Sequence, residues 1–291
     1  HGVKTLEGRL WLNSEPGQGT EIIMEKCSEY RLKPDSSIFI HHTETLDDNP
    51  TGVLHSHREY EIFILNSESA VFHVEGMHYE LKKGDIMIFN SKEFHRIEYD
   101  TSRLYERCVI HFMKEPLLSY ARDEFDIFKA FENRSPGIYN HIPSELAEAE
   151  NIAWYFDEIH KAFSENKSGN TLMIKCLLVQ MLIKIGRAVN IAVRENDISK
   201  SDRKIGEILK YINENLSSEL SLDTLSEKFF ISKYYLSHLF KQCTGYSVNQ
   251  YITYKRVLLA SELISDGFSA GYACEFVGFN YYSNFYKIYK N

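Results

Sequence analysis

The sequence predicts a two-domain α+β protein: a double-sheet β-barrel or sandwich, a helical hairpin, and a C-terminal all-α domain with two helix-turn-helix motifs. Three observations predict it. Between Ser37 and about Ile110, short β-rich runs follow one another with turn residues between them. From Glu115 the apolar spacing becomes helical. Near the C-terminus a serine-capped helix pair with an apolar inner face and a polar outer face occurs, then occurs again.

The elements follow in order. Residues 1–24 read as strand, turn, strand, with "EPGQG" as the turn. The β-rich runs are "SIFIHH", "EYEIFIL", "SAVFHVEGMHYEL", "GDIMIF" and "LYERCVIHF", with Glu75-Gly76 and Lys83-Gly84-Asp85 at turns. "SELAEAENIAWYFDEIHKAFSENKSGN" and "TLMIKCLLVQMLIKIGRAVNIAV" form an antiparallel helical hairpin. The second helix is apolar on more than one face and needs a further surface, the β domain or another subunit. That makes the hairpin a candidate dimer interface, with Lys175, Lys184 and Leu178 as the positions to probe. "RENDISKSDRK" reads as the interdomain linker. The expected divisions are residues 1–24, 25–140, 141–202 and 203–291.

At 291 residues, 43% hydrophobic and 25% charged, the composition is that of a globular protein with two sizeable cores. Five widely spaced cysteines without a CxxC pair argue against a disulfide framework or zinc knuckle and suit a reducing cytoplasm. No signal peptide is evident, and "MIKCLLVQMLIKIG" reads as too short and too charged to span a membrane. The chain starts at His1 and stops at Asn291, as a trimmed piece would. From Arg203 onward ten Lys/Arg face eight Asp/Glu, a net of +2; the −8 of the whole chain less this leaves −10 for residues 1–202. An acidic remainder reduces non-specific nucleic-acid binding without forbidding specific binding.

In the first motif Ser221 caps a helix with Leu222, Leu225 and Phe229 on one face. Ser232 caps the next and Gly245 ends it. Leu236, Leu239 and Phe240 make the buried stripe and leave Lys233, Tyr234, Ser237, His238 and Lys241 outward. Such residues contact phosphates and base edges in a major groove. In the second motif Ser269 caps one helix, Gly278-Phe279 turns, and Asn280 caps another. Its inner face is Phe285, Ile288 and Tyr289, and its outward set Tyr282, Ser283, Asn284, Tyr286 and Lys287. Two motifs on a rigid helix suit two major grooves about 34 Å apart.

Residues 203–291 resemble the DNA-binding domain of the AraC/XylS family of bacterial transcriptional regulators, most specifically in "VGFNYYSNFYKIYKN". The resemblance implies a regulator with double-stranded DNA, a small-molecule effector (a sugar among the candidates) and RNA polymerase as partners, working as a homodimer away from membranes. It implies that Tyr234, Ser237 and His238 read bases in the first motif, and Tyr282, Ser283, Asn284, Tyr286 and Lys287 in the second. Two departures stand out. Ala270 and Ala273 flank Gly271 where the family has large aliphatics, which predicts loose packing. The chain also stops before the family's short "G-x-P-x-x-Y-R"-like tail, which predicts a frayed last helix.

In the N-terminal half, Gly52, "HSHREYE", "GDIMIF" and His95 form a second constellation. His55, His57 and Glu61 are spaced so that both imidazoles can point to one face of a strand, and His95 comes from a later hairpin. The spacing is similar to the two motifs of the cupin fold, so the expected barrel is cupin-like. Three imidazoles and a carboxylate suit Fe, Mn, Zn or Ni. The favoured expectation is an effector site without metal or other cofactor and without catalytic residues, in which His55, His57, Glu61 and His95 hydrogen-bond the ligand or the backbone. A metal on the same four residues, in a cupin enzyme with a helical appendage, is the alternative. His41, His42, His73, His78 and His111 read as strand-surface or packing residues, and Tyr60, Phe63, Phe72, Tyr79 and Phe89 as core. "GRLWLNSEPGQGTEIIM" is similar to the last glycine-rich hairpin of sensor histidine kinases, but over that stretch alone, and no phosphotransfer activity is expected from it.

Overall fold

The computed structural model describes residues 8–15, 19–26, 38–45, 54–91, 93–120, 125–165, 167–195, 199–279 and 281–290. The turn residues Pro16-Gly17-Gln18, Gly52, residues 196–198, Asn280 and the side chains of Asn284, Ile288 and Tyr289 lie outside it.

Eleven described strands form two antiparallel sheets. The strands are β1 Gly8–Glu15, β2 Gly19–Lys26, β3 Ile38–Thr45, β4 Leu54–Ser56, β5 Tyr60–Leu65, β6 Ser69–Val74, β7 Met77–Lys82, β8 Ile86–Phe89, β9 His95–Glu98, β10 Tyr105–Phe112 and β11 His141–Ile142. One sheet runs β2-β1-β4-β9-β6-β7 and the other β11-β8-β5-β10-β3. The N-terminal hairpin is thus part of the larger sheet, with Trp11 opposite His55. Between the sheets lie Phe63, Leu65, Phe72, Val74, Met87, Phe89 and Val109. The intervening residues Ile62, Ile64, Ile86, Ile88 and Ile110 point the other way, into a core shared with helices. Strand β5 is therefore covered on both faces, which is why "YEIFIL" reads as a continuous apolar run rather than an alternation.

The helices on that outer face are α1 Lys129–Glu132, α2 Ser144–Ala149, α3 Ile152–Glu165 and α4 Asn170–Glu195, preceded by a 3₁₀ turn at Glu115–Tyr120. The surface that an over-apolar α4 needs is the five-stranded sheet together with α3: Ile174, Leu178, Met181, Leu182 and Ile185 all join this core. Two expectations change here. Helix α4 has 26 residues, long and apolar enough by length and composition to cross a membrane, because the helix continues past the short run read from the sequence. Its apolar stripe is occupied within the chain. Leu178 is part of that core and does not face a partner, so it cannot probe a dimer interface.

Helices α5 Lys200–Glu214, α6 Leu222–Phe229, α7 Lys233–Thr244, α8 Val248–Ser265, α9 Ala270–Phe276 and α10 Tyr282–Lys290 make the C-terminal part. Ser199 caps α5 by accepting from the Asp202 amide, so the charged stretch read as linker is largely the end of α4 and the start of α5. Its polarity reflects exposed helix ends. Ser221, Ser232 and Ser269 cap α6, α7 and α9 as expected, and Ser247 with Gln250 makes a full capping box on α8.

The β6–β7 hairpin points at this helical part. Its two-residue turn holds Glu75 at φ 49° and Gly76 at φ 87°. Such turns favour Asn-Gly, and a glutamate held in the left-handed region is strained by roughly 1–3 kcal/mol. Hydrogen bonds from the Phe94 amide, Tyr251 and Lys255 hold it there. A Cβ on Gly76 would collide with the carbonyl group of Cys243 near the end of α7, so no larger residue fits that approach.

Candidate functional site

Two sets of residues carry chemistry. In the C-terminal part, Leu236 and Phe240 of α7 are fully buried and Leu239 nearly so, which turns the opposite face outward. Lys233, Tyr234, His238 and Lys241 are exposed and Ser237 half-buried, the division read from the sequence. Tyr234 and His238, one helical turn apart, lie nearly parallel with ring centroids 6.4 Å apart. Lys233 pairs with Asp223 of α6. On α10 Phe285 is buried against Ala260, Ala273, Cys274 and Val277, while Tyr282, Ser283, Tyr286 and Lys287 are exposed. Tyr282 and Tyr286 repeat the parallel pairing at 6.0 Å. Gly271 lies in open space, so the small residues of α9 cause no clash; they leave a smaller core under the second motif.

The barrel brings His55, His57, Glu61 and His95 together, as the spacing predicts. One ligand atom from each lies within 4.8 Å of all the others. Register explains this. His55 of β4 is directly opposite His95 of β9 on one sheet, and Glu61 of β5 comes from the other. The cluster therefore bridges the two sheets. The structure corrects one assignment: His111 is neither a surface nor a plain packing residue. It lies opposite Glu61 across β5–β10, and its Nε2 donates to Glu61 Oε2 at 3.0 Å. Only the strand pairing reveals this, since the two are 50 positions apart.

The hydrogen bonds fix which nitrogen faces inward. His57 Nδ1 donates to the Glu59 carbonyl at 2.9 Å, and His95 Nδ1 donates to the Glu93 carbonyl at 2.9 Å. In the neutral imidazole this leaves a lone pair on each Nε2. Both lone pairs aim at the same carboxylate oxygen: His57 Nε2 is 2.7 Å and His95 Nε2 3.5 Å from Glu61 Oε2. The buried His95 Nε2 has no hydrogen-bond partner among the described residues. Three acceptors converging in a dry site repel unless a proton or cation lies among them. Burial pushes the Glu61 carboxyl up, but the hydrogen bond from His111 outweighs it and the carboxyl is held well below the usual range. The residues present thus fit a metal ion: inward lone pairs, a carboxylate, and carbonyls that orient the imidazoles from behind. Phe89 stacks on His95 at 4.1 Å, and Phe72 lies 6.3 Å from it, so aromatic rings close the inner side of the cluster.

Two family models match parts of the chain. Residues 43–182 match the model of the AraC-like ligand binding domain, and residues 225–291 match a helix-turn-helix domain. The chain is 35% identical over 88 residues to the multiple antibiotic resistance protein MarA of Escherichia coli, covering 30% of this chain and 69% of MarA. It is 34% identical over 91 residues to the regulatory protein PocR of Salmonella typhimurium, a stretch that spans 31% of this chain and 30% of PocR. The structure of wild-type ToxT from Vibrio cholerae, bound to an unsaturated fatty acid, superposes with a TM-score of 0.41 at 13% identity, covering 89% of this chain and 93% of ToxT. The chain belongs to the AraC/XylS family of transcriptional regulators.

Proposed function

We propose that this chain is a sequence-specific DNA-binding transcription regulator whose barrel senses a ligand at the His55–His57–Glu61–His95 cluster. The observation that carries the DNA-binding half is the repetition of one arrangement: two capped helix pairs, each with an exposed reading face, joined by α8. In this reading Tyr234, Ser237 and His238 contact bases from α7, and Lys233 and Lys241 contact phosphates. Tyr282, Ser283, Asn284, Tyr286 and Lys287 serve the second groove. A homodimer acting in the cytoplasm and contacting RNA polymerase is the working form.

For the effector, the converging lone pairs favour a divalent transition-metal ion over a sugar. His57, His95, Glu61 and His55 would hold it, and His111 would steady the carboxylate. The ion would supply the positive charge that the three converging acceptors require. The same donor set suits a cupin enzyme, but that reading gives α5 to α10 no task.

Duplexes selected from a random pool test the first half. A selected site should bind far more tightly than its scrambled control, with affinity falling steeply between 50 and 200 mM salt, by about 10³-fold or more if six or more phosphates are contacted. Equal affinity for selected and scrambled duplexes overturns it. Metal analysis tests the second half. Near one metal per chain, bound as purified or after adding Co²⁺, and lost in His57→Ala, supports the site. Protein that takes up no metal returns the cluster to a ligand-binding or packing role.

A further inference from the structure

The cluster and the DNA-binding helices are one residue apart at β9. His95 faces into the barrel. Phe94, its neighbour, faces the other way and joins the core formed by α5 to α8 with Leu209, Phe240 and Tyr251. The Phe94 amide donates to Glu75 Oε1 at 2.9 Å, and its carbonyl accepts from the Glu75 amide at 2.9 Å. Glu75 in turn reaches α8: Tyr251 Oη donates to Oε2 at 2.6 Å, and Lys255 Nζ donates to Oε1 at 2.6 Å. The side chains of Lys255 and Glu75 are 2% and 0% exposed. The Lys255 ammonium also lies 4.2 Å from the centre of the Phe94 ring. Two further approaches hold the same interface. Gly76 abuts the Cys243 carbonyl, and Gly206 of α5 abuts Ser135 and Ile138.

We propose that Glu75, Phe94, Tyr251 and Lys255 form a latch that couples occupancy of the barrel site to docking of the DNA-binding helices. This rests on the reading of the cluster as a ligand site. The latch fixes the backbone at Phe94 and so holds the His95 imidazole in its ligating position. Conversely, a ligand on His95 holds Phe94 in place for Glu75 and Lys255. Coupling of this kind is reciprocal, so loading the site tightens the latch and breaking the latch weakens the site. An empty barrel lets the hairpin tip leave α7 and α8, freeing the DNA-binding part to reorient. The strained turn at Glu75 favours that release.

The test uses the full chain and Co²⁺ as probe. Amide hydrogen exchange of α8 around residues 251–255 is measured with and without the ion, alongside Co²⁺ affinity from its visible absorption. In wild type, Co²⁺ should slow exchange there by about fivefold or more. In Glu75→Gln the slowing should vanish and Co²⁺ affinity should fall by a similar factor. Because Glu75→Gln strands a buried ammonium and can destabilise the fold, the double variant Glu75→Gln/Lys255→Met, which removes both charges, repeats the measurement. Co²⁺ binding that leaves α8 exchange and the variants' affinity unchanged overturns the latch while the site stands. If Co²⁺ does not bind, the metal reading fails. The latch is then judged by His95→Gln, which must speed exchange at 251–255 relative to β3 and β10; wild-type exchange in that variant overturns the latch as well.

Discussion

At Asp85 one carboxylate ties the barrel to the helical hairpin. Its Oδ2 accepts from the Lys82 amide at 3.0 Å and from His141 Nε2 at 2.9 Å, and its Oδ1 from the Ser144 amide at 2.8 Å. The sequence marks Lys83-Gly84-Asp85 as a turn, but not that Asp85 also satisfies the first turn of α2. Burial pushes this carboxyl up; His141 and the amides outweigh it, and the net shift is downward. A folded-state value below the unfolded one, about 3.9, stabilises the fold above that pH. The stabilisation fades as pH falls through the lower folded value. Asp85→Asn should therefore lose about 1–3 kcal/mol at neutral pH, and its urea midpoint should drop less than wild type's between pH 7 and pH 3. Equal drops would show that the ionised carboxylate does not matter. The same distinction separates His55, His57, Glu61 and His95 from His111. The first four are legible as two motifs on short strands. His111 is legible only through its pairing with Glu61.

At the scale of elements, α7 is where sequence and structure agree most closely. Ser232 accepts from the Tyr235 amide, Gly245 closes the helix at φ 77°, and the buried stripe falls where the 3.6-residue period puts it. The outer face then divides by chemistry into His238, able to bond a base edge, and Lys241, able to neutralise a phosphate. His238→Ala should relax preference at one base pair by about 1–3 kcal/mol, and Lys241→Ala should weaken selected and scrambled duplexes alike. Gel shifts on both duplexes decide it: if the two variants change both duplexes equally, the assignment of roles is wrong. Helix α4 is less legible. Periodicity shows that it is over-apolar, but only packing shows that the five-stranded sheet and α3 cover Leu178 and leave Leu172 and Met173, 61% and 55% exposed, near its N-terminus.

For the whole molecule, that exposed pair is the better test of the proposed homodimer. Leu172→Glu with Met173→Glu should shift sedimentation from dimer to monomer and leave the circular dichroism unchanged. Leu178→Glu should instead unfold the chain, since it places a charge in the core. A double variant that still sediments as a dimer would move the interface elsewhere on the molecule. Exposed apolar side chains near one helix end mark an interaction surface only when they act together, which is why both are changed.

The sequence by itself determined the two halves, the caps of α6, α7 and α9, the outward faces of α7 and α10 among the described residues, and the four-residue barrel cluster. Each of these depends on spacings within one or two elements, and local periodicity and capping chemistry are written in consecutive residues. Tertiary structure alone decided three things: that His111 steadies Glu61, that α4 is covered by the chain's own sheet, and that Glu75 reaches Lys255 across 180 positions. These depend on strand register and on how two folded units dock. Register and docking follow from the sum of many weak contacts over the whole chain, and no short stretch of sequence records that sum.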